Sequence, residues 1–192
     1  MANLHHAGGD SDPIVVTANL GYFTVQAAQD DNHMFPTAAA DYMAWTPENV
    51  QYMPFVNQAL QYLAQSPVAM QLLWAALQAG VTIKIVTGDS PTQFNNQLNQ
   101  VEWNPGLGYR LTGGGIMSPA MALIHELAHG VDRIILTQYD PDYGTIEERR
   151  VIVNYEQVIA TLLGEPTRQD HNVQAVHVPS VIYHTPNLPP PG

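Results

Sequence analysis

Ser118-Pro-Ala-Met-Ala-Leu-Ile-His125-Glu126-Leu-Ala-His129-Gly130 predicts a capped helix at the centre of the chain. Ser118 is a suitable N-cap, and Pro119 fits the first helical position because its missing N–H is not needed there. Beyond this start, apolar residues recur at helical spacing, namely Met121, Ile124, Ala128, Val131 and Ile135. The stretch therefore predicts an amphipathic helix with an apolar face for the core.

Two histidines of this helix, His125 and His129, enclose a glutamate in the pattern H-E-x-x-H. Residues four apart lie on one helix face, about 6 Å apart between Cβ atoms, so the two imidazoles can share a metal ion. Zinc is the preferred ion for such nitrogen ligands. Glu126 is placed to take a proton from a zinc-bound water without binding the metal. The alternative interpretation is an amphipathic helix with two stacked histidines and no metal.

The composition indicates a folded protein that avoids nucleic acids. The 192 residues are 45% hydrophobic, which excludes a wholly disordered chain. Only six residues are Lys or Arg against 17 Asp and Glu, for a net charge of −11. This charge repels phosphate backbones and anionic lipid surfaces, so binding to nucleic acid or to a membrane surface is not expected.

Cysteine is absent from the sequence, which excludes thiol catalysis, cysteine–zinc sites and disulfides. The compartment stays open, because a cysteine-free chain tolerates both reducing and oxidising surroundings. No run of about 18 apolar residues predicts a membrane span. The first residues do not resemble a secretory signal peptide. If the protein is exported, it is expected to leave by a signal-independent route or as part of a larger polypeptide.

One domain is predicted, at residues 14–185. Residues 1–13 are small and polar and predict a flexible leader, and the proline-rich residues 186–192 predict a disordered or polyproline tail. The expected fold class is α+β, mostly helical, with a small antiparallel sheet packed beside the H-E-x-x-H helix.

Three further helices and several strands are predicted by apolar periodicity and by caps. Helices are expected at residues 46–64, 66–80 and 146–163, the second ended by Gly80 in a left-handed conformation. One or two short strands are expected within residues 14–26, and another at residues 81–86.

Residues 101–105 and 106–112 are predicted to pair as a hairpin just before the H-E-x-x-H helix. Zinc peptidases of this type bind substrate along such a strand edge by β-augmentation. An ordinary core hairpin is the alternative. Both interpretations fit the sequence.

A third metal ligand is required, because a catalytic zinc has three protein ligands and one open position. The continuation H-E-x-x-H-x-x-G-x-x-H fails, since Asp132 and Ile135 occupy the glycine and histidine positions. Glu156 is the preferred candidate. It lies in the middle of the next predicted helix, 27 residues after His129.

Other carboxylates are weaker candidates for this ligand. Glu147 and Glu148 lie near a helix start, where the helix dipole alone favours acidic residues. Asp140-Pro-Asp-Tyr143-Gly144 matches the aspzincin loop D-x-x-Y-G, in which the aspartate completes the site. However, the Gly-Thr that precedes this loop in aspzincins is replaced by Thr137-Gln138, and D-P-D-Y-G is also an ordinary turn sequence.

The order of several motifs resembles the bacterial effector zinc metallopeptidases. These motifs are V-E-W-N-P at residues 101–105, Ser118-Pro119, the H-E-L-A-H-G helix, Glu147-Glu148, and Y-E-Q-V-I-A-T-L-L-G-E-P-T-R-Q-D-H at residues 155–171. The family includes injected type III effectors that cleave host MAP kinases, and metallopeptidase domains of VgrG- and Rhs-type type VI spike proteins. The likeness covers about residues 100–171.

The resemblance implies a zincin-like fold and supports Glu156 as the third ligand. In that family the segment after the zinc helix reads E-N-x-x-R…G-x-P-x-R-x-x-Y. This sequence keeps the glutamate as Glu156 and the later arginine as Arg168. It departs from the pattern at Gln157, Ala160 and His171, which puts substrate-orienting roles in doubt.

The resemblance also implies a cellular setting. Residues 12–17 look like the junctions that precede toxin domains in polymorphic effectors. The implied protein is a toxin domain from a larger secretion-spike polypeptide, delivered by a specialised secretion system. It acts in the periplasm or the host cytosol of a target cell, and a cognate immunity protein is a possible partner.

The leading hypothesis is a zinc endopeptidase that acts on a protein or peptide. His125, His129 and Glu156 hold Zn²⁺, and Glu126 is the general base. A further group stabilises the oxyanion, for which His171, Tyr143 and Tyr155 are candidates. Asp132 is a possible partner for a ligand histidine.

Two non-enzymatic alternatives remain at this point. In the first, zinc only stabilises a binding module, which needs a fourth ligand such as His171 or His177 because structural sites are closed. In the second, a degenerate effector binds its target or an immunity protein without cleaving it. An inactivated motif is expected there, whereas this motif is intact.

Overall fold

The computed structural model describes residues 14–20, 23–29, 38–43, 46–131 and 138–187. The chain divides into two compact units, Met1–Met34 and Phe35–Gly192. The first unit contains an antiparallel pair, β1 (Ile14–Leu20) and β2 (Phe23–Gln29), which confirms the strands expected there. The expected leader at 1–13 lies outside the described residues, as do residues 188–192 of the expected tail.

In the second unit, a short 3-10 helix at Ala39–Asp41 comes first, and the helix starts predicted at Thr46 and Ser66 are both present and capped by those side chains. α1 (Pro47–Val50) and α2 (Met53–Leu63) replace the single helix expected at 46–64. The break has a local reason, because Pro54 has no N–H to donate to the carbonyl four residues earlier. α3 (Pro67–Gln78) is capped by Ser66 and followed by Gly80 at φ +68°, in agreement with the prediction.

The H-E-x-x-H helix is α4 (Pro119–Val131), and it lies at the centre of this unit. The Ser118 hydroxyl accepts a hydrogen bond from the Met121 N–H at 3.1 Å, so the predicted cap is present. α2 and α3 pack against α4. The contact buries side chains worth about 1.5–3 kcal/mol each, including Leu60, Leu63, Leu73, Met121, Leu123, Ile124 and Leu127.

Two small sheets flank α4. The first is mixed, with the order β3 (Thr82–Ile85), β5 (Gln100–Trp103) and β4 (Gln93–Asn95); β3 is parallel to β5, and β4 is antiparallel to it. β4 is therefore an edge strand.

The second sheet is antiparallel, with the order β10 (Val173–His177), β6 (Leu107–Leu111) and β7 (Ile116–Met117). A two-stranded ribbon of β8 (Tyr139–Asp140) and β9 (Gly144–Thr145) follows α4. The α+β class is confirmed.

The hairpin predicted between residues 101–105 and 106–112 is wrong. β5 pairs with β3 and β4, whereas β6 pairs with β7 and β10. The Asn104 side chain explains the change of direction, because its Nδ2 donates to the Gly88 and Ser90 carbonyls at 2.9 and 2.8 Å. Its Oδ1 accepts from the Gly106 N–H at 3.0 Å, so the turn is bound to the Gly88–Ser90 loop and leads into the second sheet.

The helix after β9 contains a wide turn. α5 (Ile146–Val151) continues as a π-helix (Ile152–Glu156) and then as α6 (Gln157–Leu163), and Gly164 ends it at φ +74°. In a regular helix, eight residues turn about 80° beyond two full turns. Because the π-helix takes one extra residue into its turn, the same eight residues here rotate about 20° short of two full turns. Glu148 and Glu156 therefore share one face.

In the described part of the chain, no helix is both long and apolar enough to cross a membrane.

Candidate metal centre

His125 and His129 are brought together on one face of α4. Their Nε2 atoms lie 3.3 Å apart. Zinc–nitrogen bonds of about 2.0–2.1 Å at tetrahedral angles put two ligand atoms about 3.3–3.4 Å apart. The two imidazoles therefore have the separation of ligands to one zinc ion.

Glu148 supplies the carboxylate of this cluster. Its Oε2 lies 3.3 Å from Nε2 of His125, and its Oε1 lies 3.5 Å from Nε2 of His129. His125, His129 and Glu148 each offer one ligand atom, all within 4.8 Å of one another. The three groups could hold a metal ion, and two nitrogens with one carboxylate oxygen are a donor set that suits zinc.

The Glu148 carboxylate is ionised in this setting. Burial alone raises its pKa, but the close imidazoles of His125 and His171 outweigh burial and hold the pKa well below its usual range. Oε2 is buried and accepts no well-aligned hydrogen bond from the described residues. A charged, poorly satisfied oxygen beside two imidazole nitrogens is suited to a cation.

Glu156, the ligand expected from the sequence, lies on the other side of His125. Its Oε2 is 2.8 Å from Nδ1, the ring nitrogen that faces away from His129. Arg168 binds the same carboxylate twice, from Nε to Oε1 at 2.9 Å and from Nη2 to Oε2 at 2.7 Å. Glu156 is only 1% exposed, so this buried ion pair fixes it behind the ring.

His129 has a matching partner behind its own ring. Nδ1 of His129 lies 3.2 Å from Oε1 of Glu147. Arg150 holds that carboxylate through Nη2 at 2.7 Å and Nε at 3.0 Å, and also donates to the Ala128 carbonyl at 3.2 Å. Such carboxylates place the ring proton on Nδ1 and leave the Nε2 lone pair for a metal.

Glu126, the expected general base, lies in the cavity beside the two histidines. Burial raises the pKa of its carboxyl above the usual range, and the neighbouring His125 and His129 offset this only in part. The Phe94 backbone N–H also lies close enough to lower that pKa. A carboxyl whose pKa is moved towards neutrality is better matched to proton transfer.

A cavity of about 570 Å³ opens onto these groups. The α4 face and the start of α5 line it at the metal cluster, and the edge strand β4 and the β6–β7 sheet line it elsewhere. The Thr92 N–H, next to β4, donates to the Tyr109 hydroxyl at 2.8 Å. Tyr109 lines the cavity, and the sequence reasoning missed it because a tyrosine within a strand carries no motif.

Among the three candidates for oxyanion stabilisation, His171 lines the cavity, with Nε2 3.3 Å from Oε2 of Glu148. Tyr143 and Tyr155 are buried elsewhere, and the Arg150 guanidinium lies 5.7 Å from the Tyr155 ring centroid. Asp132 lies outside the described residues.

Asp140, the ligand of the aspzincin alternative, is engaged in its own turn. Its Oδ1 accepts from the N–H groups of Asp142 and Tyr143, both at 3.0 Å. Its Oδ2 lies 3.5 Å from the Arg149 guanidinium. Within the described residues, the metal cluster does not include Asp140.

The sequence alone makes Glu148 a weak candidate for the ligand, because acidic residues are common in a first helical turn. The Thr145 hydroxyl accepts from the Glu148 N–H at 3.1 Å, which fixes this residue in the first turn of α5. The available signal was the pair of adjacent acidic residues Glu147-Glu148 at the start of the helix that follows α4. Two adjacent glutamates at the start of one helix can therefore contact both histidines of α4.

Comparisons with protein-family models, with curated proteins and with solved structures found no match.

Proposed function

We propose that this protein is a zinc-dependent endopeptidase with His125, His129 and Glu148 as its metal ligands. The observation that carries the proposal is the cluster of these three ligand groups beside Glu126, facing the cavity. Three protein ligands leave one position open for water, as catalytic zinc sites require. Zinc would lower the pKa of that water and polarise the scissile carbonyl.

The remaining roles are proton transfer, orientation of the imidazoles and stabilisation of the oxyanion. Glu126 takes the proton of the attacking water and delivers it to the leaving amine. Glu156 and Glu147 orient the two imidazoles through their Nδ1 atoms. His171, half-exposed at the cavity, is the candidate for stabilising the oxyanion.

The substrate is proposed to bind as an extended strand along β4. Substrate binding at residues 101–112 is one of the two interpretations of the sequence, but β5 and β6 are each paired on both sides, whereas β4 is at the sheet edge and lines the cavity. Unpaired backbone groups at a strand edge accept an added strand. The Thr92 N–H must leave the Tyr109 hydroxyl if it is to bind substrate.

The wider setting is proposed from the resemblance of residues 100–171 to effector peptidases. On this proposal the chain has a zincin-like fold and is a toxin domain of a larger secretion-spike polypeptide. Its partner would be a cognate immunity protein, and it would act in the periplasm or the host cytosol of a target cell.

A purely structural zinc site is the second candidate. Such a site requires a fourth protein ligand. Neither His171 nor His177, the residues predicted for that role, belongs to the metal cluster found among the described residues. His171 reaches Glu148, and His177 lies 3.1 Å from the exposed Asp89. The donor set therefore favours the open, catalytic form.

The test combines zinc analysis with cleavage-site profiling of periplasmic and host-cell proteomes. We expect wild type to bind one zinc and to cut, and Glu126→Gln to keep zinc while its rate falls by about 10²–10⁴-fold. Glu48→Gln, at an exposed position on α1, is the matched control and should behave as wild type. Full activity in Glu126→Gln, or a wild type that binds no zinc, would refute the proposal.

A further inference from the structure

The cavity extends beyond the metal cluster towards the start of α4. Ala122 lies one turn before His125 and Glu126 on the same helix face and lines the cavity with them. Alanine is small, so this part of the face is recessed. A larger side chain at position 122 would fill the space beside the general base.

The wall of this recess is apolar. Tyr109 and Met117 are paired residues of β6 and β7, so their side chains lie side by side on one sheet face. Val173 pairs with Leu111, two residues beyond Tyr109, and therefore lies on that face too. All three side chains line the cavity, and Pro91 lines it next to β4.

The depth of the recess follows from burial. Met117 is 2% exposed and Ala122 is 4% exposed, yet both line the cavity. They therefore form its floor. An apolar group that reaches them leaves water and contacts apolar side chains, which is favourable at about 25 cal/mol per Å².

The charged groups that line the cavity include the general base that the recess adjoins. Glu126, Glu147 and Glu148 surround the histidines, and the lining guanidinium of Arg168 is bound to Glu156. The chain also carries a net charge of −11. An acidic substrate side chain would therefore be repelled, and burying it beside Met117 would leave it without a partner.

We propose that the recess floored by Met117 and Ala122 is a specificity pocket for an apolar side chain of the peptide substrate. The inference rests on the proposed peptidase function, because the pocket adjoins Glu126 and the ligand face of α4. Leucine- or phenylalanine-sized residues fit its apolar lining, and aspartate and glutamate are excluded.

The first experiment measures kcat/KM for peptides that differ at one residue next to the cut bond. We expect Leu and Phe to exceed Ala by about 10- to 200-fold, the range for small changes in a hydrophobic pocket. Asp should be cut more slowly than Ala. Ala122→Leu should remove the preference for large residues, and Met117→Ala should shift it from Leu towards Phe.

The control is Ala79→Leu, which makes the same change at an exposed position after α3. It should keep the wild-type profile. Thermal unfolding of each variant separates misfolding from pocket filling, and Met117→Ala decides the question if Ala122→Leu does not fold. A profile that is flat, or that favours Asp, overturns the pocket while the peptidase function stands.

A second experiment measures binding without turnover. Zinc-loaded Glu126→Gln is titrated with fluorescent forms of the same peptides, and fluorescence anisotropy reports the affinity. If wild type cuts nothing, tighter binding of the Leu peptide than of the Asp peptide still supports the pocket, although the peptidase function has failed. Equal binding of the two peptides refutes the pocket.

Discussion

The His125 imidazole lies between two glutamates, with Nδ1 2.8 Å from Oε2 of Glu156 and Nε2 3.3 Å from Oε2 of Glu148. The two carboxylates come from one helix face but meet opposite edges of the ring. Only the Glu148 side also faces His129. Opposite roles follow, with Glu148 as a ligand and Glu156 as the group that orients the ring.

Substitution of the two glutamates should therefore affect zinc differently. Glu156→Gln should weaken zinc binding by roughly 10- to 100-fold, as expected for a group behind a ligand, and Glu148→Ala should weaken it further. Competition with a chromophoric chelator measures both affinities. If Glu156→Gln weakened zinc binding more than Glu148→Ala did, Glu156 would be the metal ligand instead of Glu148.

The stability of the metal-free protein separates the same two variants. Glu156→Gln leaves the buried Arg168 without its charged partner, which should cost about 3–5 kcal/mol in the free energy of unfolding. Glu148 is partly exposed, so Glu148→Ala should cost less. Urea denaturation in a chelator checks this, and equal costs would contradict the assigned ion pair.

The sequence predicted the histidine pair because that pair depends only on helical spacing and on local caps. The choice between Glu148 and Glu156 depends on helix rotation. The π-helix at Ile152–Glu156 shifts this rotation by one residue, and a period of 3.6 does not reveal such a shift. Both carboxylates were therefore recognisable as candidates, but their roles were not.

Strand pairing was the least predictable part of the fold. The partners of β5 and β6 come from distant segments, β3 and β10, so the short spacing between β5 and β6 suggested a false hairpin. Long-range packing decided the pairing. The edge position of β4, which places a strand beside the cavity, followed from the same packing.

The carboxylate behind His129 should also contribute to zinc affinity. Glu147→Gln removes the charge that Arg150 holds against Nδ1 of His129. We expect zinc binding about 10- to 100-fold weaker, because the ring loses orientation and basicity. Glu48→Gln is the control for loss of a first-turn glutamate elsewhere. Unchanged zinc affinity in Glu147→Gln would show that this contact is incidental.

The metal-free protein should lose stability as the pH rises. Burial lowers the pKa of His125, but hydrogen bonds to Glu148 and Glu156 outweigh burial and raise it to about 9 from an ordinary value of 6.5. The folded state therefore holds this proton more tightly than the unfolded chain does. The resulting stabilisation is complete below about pH 6.5 and is lost as the pH rises through about 9.

Denaturation by urea at pH 6, 7.5 and 9 in a chelator measures this loss. Glu148→Gln, which removes one charge that favours the proton, should flatten the dependence. Zinc must displace the same proton, so its affinity should increase over this pH range. A metal-free protein whose stability is constant between pH 6 and 9 would contradict the assignment.

Gly130 allows α4 to approach its neighbours closely. A Cβ at this position would lie 2.5 Å from Cγ2 of Val81 and 3.2 Å from the Phe94 ring, which stacks on His129 at a centroid distance of 6.5 Å. Alanine favours a helix over glycine by about 1 kcal/mol, but Val81 is buried and cannot retreat. Gly130→Ala should therefore destabilise the fold by about 1–3 kcal/mol.

Gly113→Ala is the control, because no atom lies within 4 Å of its added Cβ, and it should change stability by less than about 0.5 kcal/mol. Thermal and urea unfolding measure both variants. Equal stability of the two would mean that Val81 and Phe94 yield without cost, and that the close approach of β4 to α4 does not depend on glycine.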